Sequence, residues 1–361
     1  MQRQSSNNRK ENHPLIGYFR SMEKEVPRED INRKWDELMQ RVADEEVLHH
    51  RCRRRLWVSS ACTAALLGGL LWGTYFYMSG DAPSAAWEEA IAQVEQLKND
   101  TLDKVLLITH AHQQIEAERG TEIRYSEKGE ATVGGQKIET MPRKAEYNQL
   151  IVPYGQSSRL LLADGSRLHV NAGTRVVYPS VFKGKTREIY VDGEAYVEVH
   201  ADKEHPFIVK TPGFSIRVTG TAFNVNAYKS VSEAEVVLVH GSITVTDSQS
   251  KEIQVTPDEL LSLYDGAAVS KQTVDAGNYI AWTKGYFPLQ GRNISDILQR
   301  LSLYYGKAIS CDASVEALPL HGTIDLSVPL EKVLERIAKI HPLAIGETGE
   351  GYHLSLQQSI N

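Results

Sequence analysis

The stretch SRLLLADGSRLHVNAGTRVVYP, residues 158–179, decides how the larger part of this chain is read. Apolar and polar residues alternate along it, and ADGS and NAG interrupt the alternation. Period-two patterning broken by glycine-bearing turns specifies short, half-buried β-strands. The stretch overlays VLLITHAHQQIEAERGTEIRYS, residues 105–126, at a fixed offset of 53 residues. Leu107 falls on Leu160, Ile108 on Leu161, Ile115 on Leu168, Gly120–Thr121 on Gly173–Thr174 and Tyr125 on Tyr178. The match, though weak, suggests one β unit used twice and stacked.

The same texture continues through REIYV, AYVEVH, FIVKT, SIRVTG, FNVNAY and EVVLVHGSITVT, with KGK and VDGE as further turn signals. Residues 104–284 are therefore expected to form an all-β domain, either a sandwich or a solenoid-like stack. Near Gly285 the period changes. GYFPLQG reads as a strand, and Ile294, Ile297, Leu298, Leu301 and Tyr305 as one face of a helix. KAISCD and HGTIDL follow as strands. Ser327 is placed to cap a second helix with Leu330, Val333, Leu334, Ile337 and Ile340 on one side, and LAIGETGEGYHLSL closes as a hairpin. The order βαββαββ over residues 285–361 predicts a small α+β domain, sized for docking more than for a deep catalytic cleft.

Toward the N-terminus the chain changes character. No charged residue occurs from Leu56 to Gly80. The apolar part, residues 56–78, spans roughly 35 Å as a helix, enough to cross a bilayer core of about 30 Å. It starts too late and runs too long for a cleaved signal peptide. A buried soluble helix rarely goes this far without a charge, and Gly68–Gly69 suits lipid better than water. Arg51, Arg53, Arg54 and Arg55 crowd its N-terminal edge, while only Asp81 flanks the other. By the positive-inside rule, residues 1–55 stay in the cytoplasm and those from about Ser79 onward are exported. The expectation is a single-pass protein of the inner membrane. Residues 79–103 read as a juxtamembrane helix and linker, with Ser84 as cap and Trp87, Ile91, Val94 and Leu97 on one face.

The leader carries one more pattern. Ile31, Trp35, Leu38, Met39 and Val42 line a single stripe of a helix that is otherwise charged. A segment this short cannot bury the stripe in a core of its own. It needs another protein, another copy or the membrane surface, and Trp35 is the natural anchor.

Chemistry is scarce. The 361-residue chain has a formal charge of −6, which does not favour a nucleic-acid partner. Cys52 and Cys62 lie at or within the apolar stretch, leaving Cys311 alone beyond it, so no intramolecular disulfide is expected there. His110 and His112 share one face of a strand, but no cysteine or acidic cluster joins them as a metal site. Asp164, Asp192 and Asp312 sit in turn contexts, where aspartate is favoured by bonds to its own backbone. No nucleophile–base or metalloprotease motif occurs, so neither an enzyme nor a cofactor is expected.

The runs VPYGQSSRLLLADGSRLHVNAGTRVVYP and REIYVDGEAYVEVHADKEHPFIVKTPGFSIRVTGTAFNVNAY resemble the central domain of FecR-type transmembrane anti-sigma factors, in the Bacteroides form. GYFPLQGRNISDILQRLSLYYGKAI is similar to their C-terminal module, akin to the short N-terminal domain of secretins and TonB-dependent transporters. The resemblance covers about residues 104–357. It implies that the leader binds an extracytoplasmic-function sigma factor. It also implies that the exported part senses the signalling domain of an outer-membrane TonB-dependent transporter, often of the SusC type. The leader departs from the family, whose cytoplasmic domain is longer, and only Trp35 fits it. Some relatives cut themselves at a Gly–Thr bond, matched here by Gly220–Thr221 in RVTGTAFNV. The threonine hydroxyl would attack the preceding carbonyl in an N→O acyl shift. A bulge or strand bend explains the same glycine without chemistry, and Gly–Thr recurs at 73–74, 120–121, 173–174 and 322–323. The competing reading is a membrane-tethered scaffold that bridges envelope components.

Overall fold

The computed structural model describes residues 33–41, 85–96, 102–109, 113–138, 147–349 and 351–357. The chain divides into two compact units, Met1–Ala82 and Pro83–Asn361. In the first, residues 33–41 are helical. The expected span 56–78, its flanking arginines, Ser84, His110 and His112 lie outside the described residues. Among the described residues, no helix is long and apolar enough to cross a membrane.

The second unit is mainly β. Residues 105–126 form β1 (Val105–Ile108), β2 (Gln114–Ala117) and β3 (Glu122–Tyr125). After β4 (Ala131–Val133), β5 (Gln136–Ile138) and β6 (Tyr147–Ile151) come β7 (Ser158–Leu161), β8 (Arg167–Val170) and β9 (Arg175–Pro179). These repeat the positions of β1–β3 at the offset of 53. In each copy an antiparallel hairpin lies in one sheet and the third strand crosses to the other. Tyr125 and Tyr178 end up ring edge to ring face, 5.4 Å apart.

The pattern then recurs where no sequence match announced it. After β10 (Arg187–Glu198), the hairpin β11 (Phe207–Lys210) and β12 (Ser215–Val218) is followed by the crossing strand β13 (Ala222–Ala227). After β14 (Glu233–His240), β15 (Ile243–Thr246) and β16 (Glu252–Val255) are followed by β17 (Glu259–Tyr264), and β18 (Ala267–Thr273) closes the domain. Gly120, Gly173 and Gly220 stand at three of the crossings, each with positive φ, and Asp258 (φ 61°) takes that conformation at the fourth.

The strands make two sheets on one core. The first runs β2-β1-β6-β9-β10-β11-β12-β15-β16, and the second β5-β4-β3-β7-β8-β10-β13-β14-β17-β18. β10 belongs to both. Up to Asp192 it pairs with β9, and from Gly193 onward with β13 and then β8. VDGE, expected to be a turn, is therefore the middle of a twelve-residue strand. Gly193 (φ 135°) allows the change of sheet, and a Cβ there would sit 2.4 Å from Thr174 Oγ1. That hydroxyl accepts from Glu194 N at 2.9 Å and donates to Glu194 O at 3.2 Å. Phe207, Phe223, Tyr178 and Leu168 fill the space between the sheets, each side chain contributing about 1.5–3 kcal/mol by burial.

Helix α1 (Ala85–Gln96) lies on the outer face of the first sheet. Trp87, Ala90 and Val94 pack on Leu106, Ile151, Val177 and Tyr190. This second contact layer is why VLLI in β1 reads as an unbroken apolar run: the strand is covered on both faces.

The last 70 or so residues build a second core around α2 (Ile294–Tyr305) and α3 (Leu330–Ile340). β19 (Tyr286–Pro288) and β20 (Arg292–Asn293) precede α2; β21 (Ala308–Cys311), β22 (Pro319–Leu320) and β23 (Thr323–Asp325) lie between the helices; β24 (Leu343–Thr348) and β25 (Gly351–Leu356) form the hairpin. β21 pairs parallel with β25, and β19 and β20 pair with β23 and β22. Ser327 does not cap α3. Its N–H and hydroxyl both go to Asp325 Oδ1, at 2.9 and 2.6 Å, and the helix begins after Pro329.

Candidate functional sites

Three places carry the features picked out from the sequence. The first is the helix at residues 33–41, where Trp35, Leu38 and Met39 are exposed by 51–61%. Ile31 and Val42 lie outside the described residues. Trp35, Leu38 and Met39 together present an exposed apolar surface.

The second is the corner at Gly220–Thr221. Thr221 is buried, and its hydroxyl donates to the Ser242 carbonyl at 3.2 Å. Gly220 (φ 154°) passes so close to Ala201 that a Cβ would meet the Ala201 Cβ at 2.9 Å. A register shift follows at Ala222/Phe223. An open cleft of about 410 Å³ borders the corner and is lined by Arg167, Glu198, His200 and His240 among others. The geometry is that of a crossing between sheets, as at Gly120–Thr121 and Gly173–Thr174.

The third site was not singled out in the sequence. Glu194, the last residue of VDGE, is buried on the outer side of the second sheet. Its two oxygens accept from Asn171 Nδ2 at 2.7 Å and Asn224 Nδ2 at 3.0 Å. Trp282 Nε1 donates to Asn224 Oδ1 at 3.1 Å. Arg300 of α2 pairs with Glu235 of β14 on the same side. Burial pushes the Glu194 carboxyl up; the Arg300 charge and the two amide bonds pull it back only in part. A cavity of about 40 Å³ remains between Glu194, Asn226, Tyr228 and Arg300, room for a few waters. Ala172 joins the core of the C-terminal module, and Gly155 N donates to Tyr304 O at 2.7 Å. Polar bonds and apolar contact together join module to sheet.

The three aspartates behave differently. Asp164 does make a turn, accepting from Ser166 N at 3.0 Å, but it also pairs with the buried Arg187 at 2.7 Å. Arg187 further donates to the carbonyls of His205, His200 and Asp202. Asp192 lies in β10, where it accepts from Lys229 N and Arg175 Nη1. Asp312 precedes a short helical turn and faces His353 Nε2 at 3.0 Å. Cys311 is half-buried, and burial pushes its thiol up.

A β unit of hairpin plus crossing strand, repeated around one shared core, defines the class of the central domain. Residues 148–244 match the family model described as FecR protein. Two crystal structures of a candidate anti-sigma factor from Parabacteroides distasonis ATCC 8503 are similar to it. One, at 1.65 Å resolution, gives a TM-score of 0.52 at 28% identity, covering 58% of this chain and 99% of the other. The second, at 2.50 Å, gives 0.52 at 27% identity, covering 59% and 100%. No curated protein matches the chain.

Proposed function

We propose that this chain is a regulator of a sigma factor, working by binding and not by catalysis. The observation that carries the reading is the FecR match together with similarity to a candidate anti-sigma factor along nearly all of its crystallised chain. Ile31, Trp35, Leu38, Met39 and Val42 form the surface for an extracytoplasmic-function sigma factor in the cytoplasm. Residues 56–78 cross the inner membrane, with Arg51, Arg53, Arg54 and Arg55 on the cytoplasmic side. The remainder lies in the periplasm and receives the signalling domain of a TonB-dependent transporter. The open edge of β24, with Ile345 and Leu356 exposed beside it, suits strand addition by that domain.

The test is capture of a co-expressed sigma factor by the full-length chain. Replacing Trp35 and Leu38 together by alanine should weaken capture at least about tenfold, as truncation of buried anchors does. Undiminished capture would remove the cytoplasmic half of the proposal.

A further inference from the structure

The clasp that holds α1 and the junction that holds the C-terminal module meet on one strand. Tyr190, Asp192 and Glu194 alternate along β10 on the side turned away from the shared core. The Tyr190 hydroxyl donates to Glu95 Oε1 of α1 at 2.8 Å, and Lys229 Nζ reaches Glu95 Oε2 at 2.6 Å. Burial alone would raise the Glu95 carboxyl; the bonds from Lys229 and Tyr190 outweigh it and hold it below the ordinary value. Lys229 gives its own N–H to Asp192 Oδ1 at 2.8 Å, and Arg175 Nη1 meets Asp192 Oδ2 at 3.2 Å. Thr174, the residue before Arg175, brackets the backbone of Glu194. Glu194 then meets the module through Asn224 and Trp282.

Glu95, Asp192, Glu194 and Asn224 each make two hydrogen bonds along this series, and the kink at Gly193 has no room for even a methyl group. The cavity that remains at the junction has room for a few waters.

We propose that β10 couples the two docking events: a C-terminal module seated on Glu194 holds α1 against the first sheet, and a module that loosens there loosens α1. Because α1 follows the apolar stretch 56–78 in sequence, the state of the module becomes readable next to that stretch. The inference rests only on contacts within Pro83–Asn361 and does not need the sigma-factor reading.

Hydrogen–deuterium exchange on the full-length chain in detergent micelles tests it. Arg300→Met and Trp282→Phe, both at the junction, should speed exchange of the α1 amides about fivefold or more. Trp282→Phe keeps an aromatic ring at the position and removes the Nε1 donor, so it serves where Arg300→Met disturbs folding. Exchange in β15 and β16, remote from this path, should stay within about twofold of the wild type. By reciprocity Glu95→Gln should speed exchange in α2 by a similar factor. Placing Arg300→Met in an Asp192→Asn background should add little further to α1. If α1 exchange stays within about twofold in both junction variants, or if Glu95→Gln leaves α2 unchanged, the coupling is overturned. Neither result bears on sigma-factor capture by the leader, which is measured separately.

Discussion

Arg187 shows how much one side chain can hold. Its guanidinium satisfies Asp164 and the carbonyls of His200, Asp202 and His205, and stacks over Phe207 at 5.3 Å. Arg187→Met leaves a half-buried carboxylate and several carbonyls without a donor. The expected loss is about 3 kcal/mol or more in chemical denaturation, with Arg187→Lys intermediate because a single ammonium cannot reproduce the fork. Gly220 makes a different demand. Gly220→Ala places a methyl against Ala201 at a φ that L-residues rarely adopt, and should cost roughly 1–3 kcal/mol. If the Gly220–Thr221 bond serves only as a corner, intact-mass measurement of the wild type and of Thr221→Ala will give one full-length species for each. A fragment beginning at Thr221 in the wild type alone would restore the hydroxyl as a nucleophile.

At the level of elements, much of the β domain was legible because the strands follow the period-two rule and the turns use their usual residues. The 53-residue repeat located β1–β3 and β7–β9 correctly. Its third occurrence keeps the Gly–Thr pair but not the 53-residue spacing, and the fourth loses the pair as well, with Asp258 in place of glycine. VDGE misled for a related reason. An Asp–Gly pair signals backbone freedom, and the sequence cannot say whether that freedom serves a turn or a strand passing between sheets. The multiplicity of Gly–Thr, first counted against cleavage, was the better clue: three of those pairs mark crossings. Ser327 failed as a cap because Pro329 stands closer to the helix and Asp325 takes the hydroxyl. Glu194 was missed because a lone acid in a strand carries no motif, and only tertiary contact buries it.

For the molecule as a whole, the junction and the clasp should answer acid in opposite senses. Glu194 faces Asn171, Asn224, Arg300 and Glu235, and its folded-state affinity for the proton is raised above the ordinary 4.5. The folded form therefore holds that proton more tightly than the unfolded form does. Stability from this group is full below pH 4.5 and is lost as pH rises through the folded value. Glu95 is lowered, so its contribution is present above 4.5 and is lost as pH falls through its folded value. Mild acidification that stays above 4.5 should raise the protection factors of the junction amides, beyond the general slowing of base-catalysed exchange, while leaving α1 held. Glu194→Gln, which keeps the shape and removes the titration, should abolish that pH-dependent gain in protection.

A strand common to two sheets also has a mechanical meaning. The share of a pull on α1 that passes through the Glu95–Tyr190 bond enters β10 there, and resistance from the C-terminal module meets it at Glu194, a few residues along the same strand. The tension runs along the strand, so the hydrogen bonds on both of its sides would have to slide together instead of opening one by one. Gly193, the thinnest point of that strand, lies between the two attachment points.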